Sequence, residues 1–157
     1  MKQVTLTTDG SCLFNPGPSG WAWLLRFGAV EPLLSGSELG TTNNRMELRA
    51  VIAGLAALRE SCCVKVVTDS QYVQRGMKTY ITRWVSAGWI SSRGKRIANR
   101  DLWEELMRES GRHQVEWIWV RGHTANPDQN RCDRVAQGGG PERSGGLMID
   151  GPYPIYR

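Results

Sequence analysis

Val64-Lys65-Val66-Val67-Thr68-Asp69-Ser70-Gln71-Tyr72 is the stretch that decides the fold. A short β-branched run stops at a carboxylate and passes into residues that can start a helix, the pattern of a buried parallel strand in an α/β protein. Such sheets bind ligands beyond the carboxyl ends of their strands, which makes Asp69 a candidate site residue. A lone Asp ahead of a helix is more often only an N-cap. Whether other carboxylates converge on Asp69 therefore decides its reading.

Upstream, Val4 and Leu6 belong to an alternating strand that ends at Thr8-Asp9-Gly10-Ser11, followed by a Gly-, Pro- and Asn-rich loop through Gly20. Trp21 to Phe27 and Leu33 to Leu39 read as two further strands, and the short connections predict an antiparallel meander. Thr41-Thr42-Asn43-Asn44 offers several N-caps for a helix whose apolar face holds Met46, Leu48, Ile52, Leu55, Ala56 and Leu58. Glu47 falls in the first turn, where the helix dipole favours an acid whether or not it has a catalytic role; position alone makes it structural.

Downstream, a helix is expected from about Ser70 to Lys78, then a short helix and a basic excursion between Tyr80 and Arg96. Asn99 caps a helix carrying Leu102, Trp103 and Leu106, Val115 to Val120 is the last strand, and Arg121 to Pro127 is a loop. A helix over about Asp128–Gln137 holds Asp133. The order of elements predicts an α/β domain over residues 1–137, with a five-stranded mixed sheet, antiparallel meander plus parallel strands, flanked by helices. Residues 138–157, rich in Gly and Pro, read as a mobile tail.

The chain has 157 residues, 40% hydrophobic and 22% charged, enough for one buried core and no more than one domain. No apolar run approaches the length of a membrane span. The opening Met1-Lys2-Gln3-Val4-Thr5 goes straight into a strand pattern without the apolar stretch of a signal peptide, so a cytoplasmic location is expected. Cys12, Cys62, Cys63 and Cys132 match neither zinc spacing nor a disulfide framework and read as reduced thiols. The formal charge is +5. From Gln71 to Arg100 there are seven basic residues and no acidic one, which leaves the remainder of the chain net negative. The positive field belongs to one segment and suits a polyanion.

If the strands ending at Asp9 and Asp69 are neighbours, both side chains emerge at one edge of the sheet, and Glu47 and Asp133, near helix N-termini, can be aimed there by packed helices. Two charges about 4 Å apart repel by roughly 4 kcal/mol at an effective dielectric of 20. Four clustered carboxylates thus call for cations, and an all-oxygen set favours Mg²⁺ or Mn²⁺ over zinc. Two such ions can stabilise both the attacking water and the leaving oxygen of a phosphoryl displacement.

Thr8-Asp9-Gly10-Ser11, Asn43-Asn44-Arg45-Met46-Glu47-Leu48, Thr68-Asp69-Ser70-Gln71-Tyr72, and Gly122-His123 followed by Asn130-Arg131-Cys132-Asp133 resemble, in order and spacing, the signature blocks of type 1 ribonuclease H, the bacterial ribonuclease HI family. The resemblance runs from Val4 to about Ala136. It implies a ribonuclease H-like fold in which Asp9, Glu47, Asp69 and Asp133 bind two Mg²⁺ ions, Mn²⁺ being possible. The implied activity is an endonuclease that hydrolyses the RNA strand of an RNA/DNA hybrid and leaves 5′-phosphate and 3′-hydroxyl ends. His123, which taken alone is as readily a surface residue, matches a loop His that assists proton transfer or product release. Cys12, Asn15, Asn43, Asn44 and Gln71 match positions that touch sugars and base edges in the minor groove, although each Asn also suits a turn or cap.

The same resemblance assigns Arg26, Thr42 and Asn99 to a pocket for a DNA phosphate. It makes Tyr80 to Arg96 a basic protrusion in which Trp84 and Trp89 lie along sugars while Arg83, Arg93, Lys95 and Arg96 neutralise phosphates. Two buried Trp residues beside a solvated charged face are the alternative. Val85, Ser86 and Ala87 stand where relatives often carry Lys or Arg, and Phe14 where a Gly is usual. The expected partner is an RNA/DNA hybrid, with no membrane, no obligate protein partner and nothing that demands more than a monomer. Rival readings are a DNA-cutting integrase or resolvase of the same superfamily and a non-catalytic hybrid-binding module.

Overall fold

The computed structural model describes residues 1–12, 17–29, 31–122 and 126–137. The expected tail therefore lies outside the described residues. Five strands form one mixed sheet in the order β3-β2-β1-β4-β5. They are β1 (Lys2–Cys12), β2 (Gly17–Arg26), β3 (Leu33–Thr41), β4 (Cys62–Thr68) and β5 (Gln114–Trp119). β1, β2 and β3 make the antiparallel meander, while β4 runs parallel to both β1 and β5. A single step of register would turn every side chain of β4 to the other face. Here Cys62, Val64 and Val66 all face inward and Lys65 faces out.

Between β3 and β4 runs α1 (Asn43–Ala56), whose N-cap Thr42 accepts a hydrogen bond from the Arg45 N–H. Its buried stripe of Leu48, Val51, Ile52 and Leu55 packs with Leu102, Trp103 and Leu106 of α4 (Arg100–Ser110) against Val4, Leu6, Val64 and Val66. Each of these fully buried side chains contributes about 1.5–3 kcal/mol. On the other face α5 (Pro127–Ala136) covers Ala22, Leu24 and Leu33 with Cys132, Val135 and Ala136. α5 packs mainly on β1, β2 and β3, and the outer face of β4 and β5 stays partly open at Cys63, Lys65, Gln114 and Glu116.

His113 ties these layers together: its Nδ1 accepts from the Cys62 N–H at 3.1 Å and its Nε2 faces the Leu55 carbonyl at 3.3 Å. A neutral ring protonated on Nε2 satisfies both, whereas a second proton on Nδ1 would face a donor.

Three expectations about the elements are corrected. Asp9 does not end its strand, since β1 continues to Cys12 by pairing with β2; what ends at Thr8 is the parallel ladder to β4. Glu47 lies beyond the first turn of α1, and Asp133 sits in the second half of α5 rather than near its start. The helix expected to stop near Lys78 continues: α2 (Gln71–Arg75) passes through a π-helical turn, Gly76–Tyr80, into α3 (Ile81–Ser86). The turn sits where Gly76 meets the Trp103 ring, which a Cβ would approach to 2.1 Å.

The two tryptophans of this region pack toward the core. Trp89 is 7% exposed, and Trp84 is half-buried between Trp89 and Trp103, with ring centroids 6.2 and 5.1 Å away. The burial of Trp89 favours the alternative reading for that ring, while Trp84 packs on both neighbours and keeps part of its surface exposed. They form the base of the protrusion. Its tip is a tight turn closed by the Ser91–Lys95 and Gly94–Ser91 backbone hydrogen bonds, and it exposes Arg93, Lys95 and Arg96.

Candidate active site

Thr8 and Thr68 are the last partners of the parallel β1–β4 ladder, so Asp9 and Asp69 leave it together. Neighbouring strands lie about 4.8 Å apart, and equivalent positions share a face. Glu47 reaches the same point because Gly10 allows α1 to press against β1; a Cβ on Gly10 would come within 2.5 Å of the Glu47 nitrogen. Asp9, Glu47 and Asp69 each offer an oxygen within 4.8 Å of the others. Asp133 stands on the wall of the same cleft, its two oxygens accepting from the Gln137 side chain at 3.1 Å each.

Burial, then Glu47, a hydrogen bond with Asp133, and Asp69 push the Asp9 carboxyl up to about 12. Burial, followed by Asp69, holds Glu47 well above the ordinary carboxylate range, partly opposed by hydrogen bonds from Asp9 and from the Gly10 N–H. Asp9 Oδ2 and Glu47 Oε2 are shielded from solvent and have no hydrogen-bond partner. Two buried acceptors aimed at one point, in a cluster whose charges repel, fit a bound divalent cation. Asp9, Glu47 and Asp69 would hold it, with Asp133 at hand.

The cleft encloses about 470 Å³ and is also lined by Gly10, Ser11, Asn43, Asn44, Ser70, Gln71, Tyr72 and Gln137. Asn43 and Asn44 are exposed in the first turn of α1, and Gln71 opens α2. Of the other expected contacts, Asn15 and His123 lie outside the described residues, as does the side chain of Cys12.

Arg26 is not part of a pocket with Thr42 and Asn99. It ends β2 nine residues beyond Gly17, the partner of Thr41, and is therefore roughly 30 Å away along the strand. There it forms a two-pronged ion pair with Asp128 at 2.6 and 2.7 Å and a third contact with Glu31. Arg45 occupies the place instead. Its backbone N–H caps onto Thr42, and its guanidinium reaches Asn99 Oδ1 at 3.2 Å and both oxygens of Asp101 at 3.0 and 2.8 Å. Asn99 takes a left-handed conformation at φ 62° and caps with no side-chain hydrogen bond; its amide donates to the Tyr72 hydroxyl.

Gln137 and Trp119 are site neighbours that sequence reasoning missed, and Gly122, which it named only as part of a signature block, lies against the Asp69 carboxylate. Gln137 is four residues after Asp133, the spacing of helical neighbours, which is the signal that would have found it. Trp119 carries no such signal, because only the β4–β5 register shows where its indole points.

A mixed five-stranded sheet with an acidic centre where β1 and β4 part defines an α/β fold with an acidic cleft, fit for a metal ion, at the end of its parallel strands. Comparison with known proteins narrows this. The RNase H family matches residues 1–140. Ribonuclease H of Solibacter usitatus is 51% identical over 92% of this chain and 99% of its own. Ribonuclease HI of Xylella fastidiosa strain 9a5c is 51% identical over 88% of this chain and 92% of its own. The crystal structure of LC9-RNase H1, described as a type 1 RNase H with the type 2 active-site motif, superposes with a TM-score of 0.79 at 32% identity, covering 88% of this chain and 74% of that one. The chain belongs to the ribonuclease H family, and is accordingly an enzyme, a nuclease of the hydrolase class. Among the described residues no helix is long and apolar enough to cross a membrane.

Proposed function

We propose that the protein is an endonuclease that hydrolyses the RNA strand of RNA/DNA hybrids with two divalent cations, Mg²⁺ or Mn²⁺, leaving 5′-phosphate and 3′-hydroxyl ends. The observation that carries this reading is the convergence of Asp9, Glu47 and Asp69 within 4.8 Å in a cleft lined by Asn43, Asn44 and Gln71. When bound, the cations supply a nucleophile at neutral pH and neutralise charge on the phosphate. Asp9, Glu47, Asp69 and Asp133 hold them; the exposed amides of Asn43, Asn44 and Gln71, with Cys12 and Asn15, sense the 2′-hydroxyls of the RNA strand. His123 serves proton transfer or product release.

Thr42, Asn99 and Arg45 form the DNA-phosphate pocket in this reading, with Arg45 in the role first expected of Arg26. Arg83, Arg93, Lys95 and Arg96 are met by no acidic partner among the described residues, unlike Arg26, Arg45 and Arg112, and remain available to phosphates. The catalytic unit spans residues 1–137 and works as a monomer in the cytoplasm, a compartment that suits the free thiols of Cys62, Cys63 and Cys132.

The test is incubation of the purified protein with end-labelled RNA/DNA hybrid in Mg²⁺, beside RNA/RNA and DNA/DNA duplexes and an EDTA control. Cleavage confined to the RNA of the hybrid and lost in EDTA is expected. Cutting of the DNA duplex would favour the integrase or resolvase reading, and binding without cleavage the hybrid-binding module.

A further inference from the structure

The three clustered carboxylates are not held in the same way. Asp9 lies within β1, paired with Ala22 of β2, and Glu47 lies within α1. Asp69 has neither support: both parallel ladders of β4 end one residue earlier, at Thr8–Thr68 and Thr68–Trp119, and α2 starts two residues later. At this gap the exit of β5 takes over. The Trp119 indole N–H donates to the Asp69 carbonyl at 2.9 Å, the Val120 N–H donates to the Thr68 carbonyl at 2.9 Å, and Thr68 Oγ1 accepts from the Ser70 N–H at 3.0 Å.

The side chain of Thr68's ladder partner thus reaches forward by one residue and supplies the bond that the ladder no longer makes. Trp119 is half-buried and belongs to neither buried cluster of the described residues. Two residues after Val120, Gly122 lies flat against the carboxylate; a Cβ there would stand 2.7 Å from Asp69 Oδ2. One segment therefore fixes the Asp69 peptide from one side and leaves room for its carboxylate on the other.

We propose that Trp119 and Gly122 are positioning residues for Asp69: the exit of β5 sets the pose in which this carboxylate joins Asp9 and Glu47. The proposal rests on the reading of Asp69 as a metal ligand. Partners one step behind the ligands of a metal site typically change affinity or activity by about 10–100-fold when removed.

Trp119→Phe keeps an aromatic ring and removes the N–H, while Gly122→Ala keeps that bond and crowds the carboxylate. Mn²⁺ affinity measured calorimetrically on the full chain is expected to fall by about 10–100-fold in both, with kcat lowered and KM for the hybrid unchanged. In Trp119→Phe, amide exchange is expected to quicken locally at Asp69 and Ser70. If Trp119→Phe does not fold, Gly122→Ala carries the test, since its added methyl meets a side-chain tip and not backbone. A parent protein that binds no Mn²⁺, with exchange at Asp69 still quickened in Trp119→Phe, would overturn the functional reading and support the holding of Asp69. Unchanged exchange, Mn²⁺ affinity and kcat in the folded variants would overturn the proposal.

Discussion

Asp9 and His113 pull the pH dependence of stability in opposite directions. Asp9 is pushed up to about 12 in the folded chain, against about 3.9 when unfolded, so between these values the native state keeps a proton that the unfolded state has released. Stability of the metal-free protein therefore declines as pH rises above about 4. His113 is lowered by burial from an unfolded value of about 6.5; its contribution is complete above that pH and is lost as pH falls. Urea unfolding in EDTA across pH 5 to 9 should show both limbs, and Asp9→Asn should flatten the alkaline one. The same variant removes the group that must take up a proton on folding, so it should stabilise the metal-free chain at pH 7 by up to about 4 kcal/mol while abolishing cleavage. A destabilised Asp9→Asn would mean that burial in the cluster does not hold a proton on Asp9.

At the scale of elements, the continuous helix from α2 through the π-helical turn to α3 matters because it carries the basic tip on an aromatic base. Trp89→Ala should cost about 3–5 kcal/mol of stability, as expected of a core residue and not of a ring facing a nucleic acid. Gly76→Ala should cost about 1–3 kcal/mol, because its methyl would run into the Trp103 ring. Arg93, Lys95 and Arg96 together should act through charge: replacing all three by Ala should leave stability unchanged and reduce the slope of log affinity against log salt by up to about 3 for a hybrid treated like duplex DNA. Fluorescence anisotropy of labelled hybrid over a salt series measures this directly. An unchanged slope would remove the tip from the interface.

For the whole molecule, the sheet and the carboxylates after its strands were legible because both are written locally, whereas the meeting of those carboxylates was implied only by the family resemblance. Strand alternation, the cap at Thr42, and the carboxylates after Thr8 and Thr68 each show in a few adjacent residues. What was not legible depends on contacts between distant segments. Arg26 looked suited to a phosphate because a sequence does not show which end of an antiparallel strand faces the cleft; the β2–β3 register puts Thr41 at one end and Arg26 at the other. Trp84 and Trp89 resembled ligand-facing rings because their packing depends on α4, where Trp103 meets Trp84 and Arg100 lies over Trp89. Trp119 was silent for the same reason, its partner being 50 residues away.

All of these features matter to function through one centre, in which Asp69 joins Asp9 and Glu47. The most direct measurement is the rate of RNA-strand cleavage of an RNA/DNA hybrid in Mg²⁺ by Asp69→Asn beside the parent, with circular dichroism confirming that both are folded. The account predicts a fall of at least about 100-fold, on the scale expected when a group that holds charge at a reacting phosphate is lost. A folded Asp69→Asn protein that cleaved the hybrid at the parental rate would contradict it.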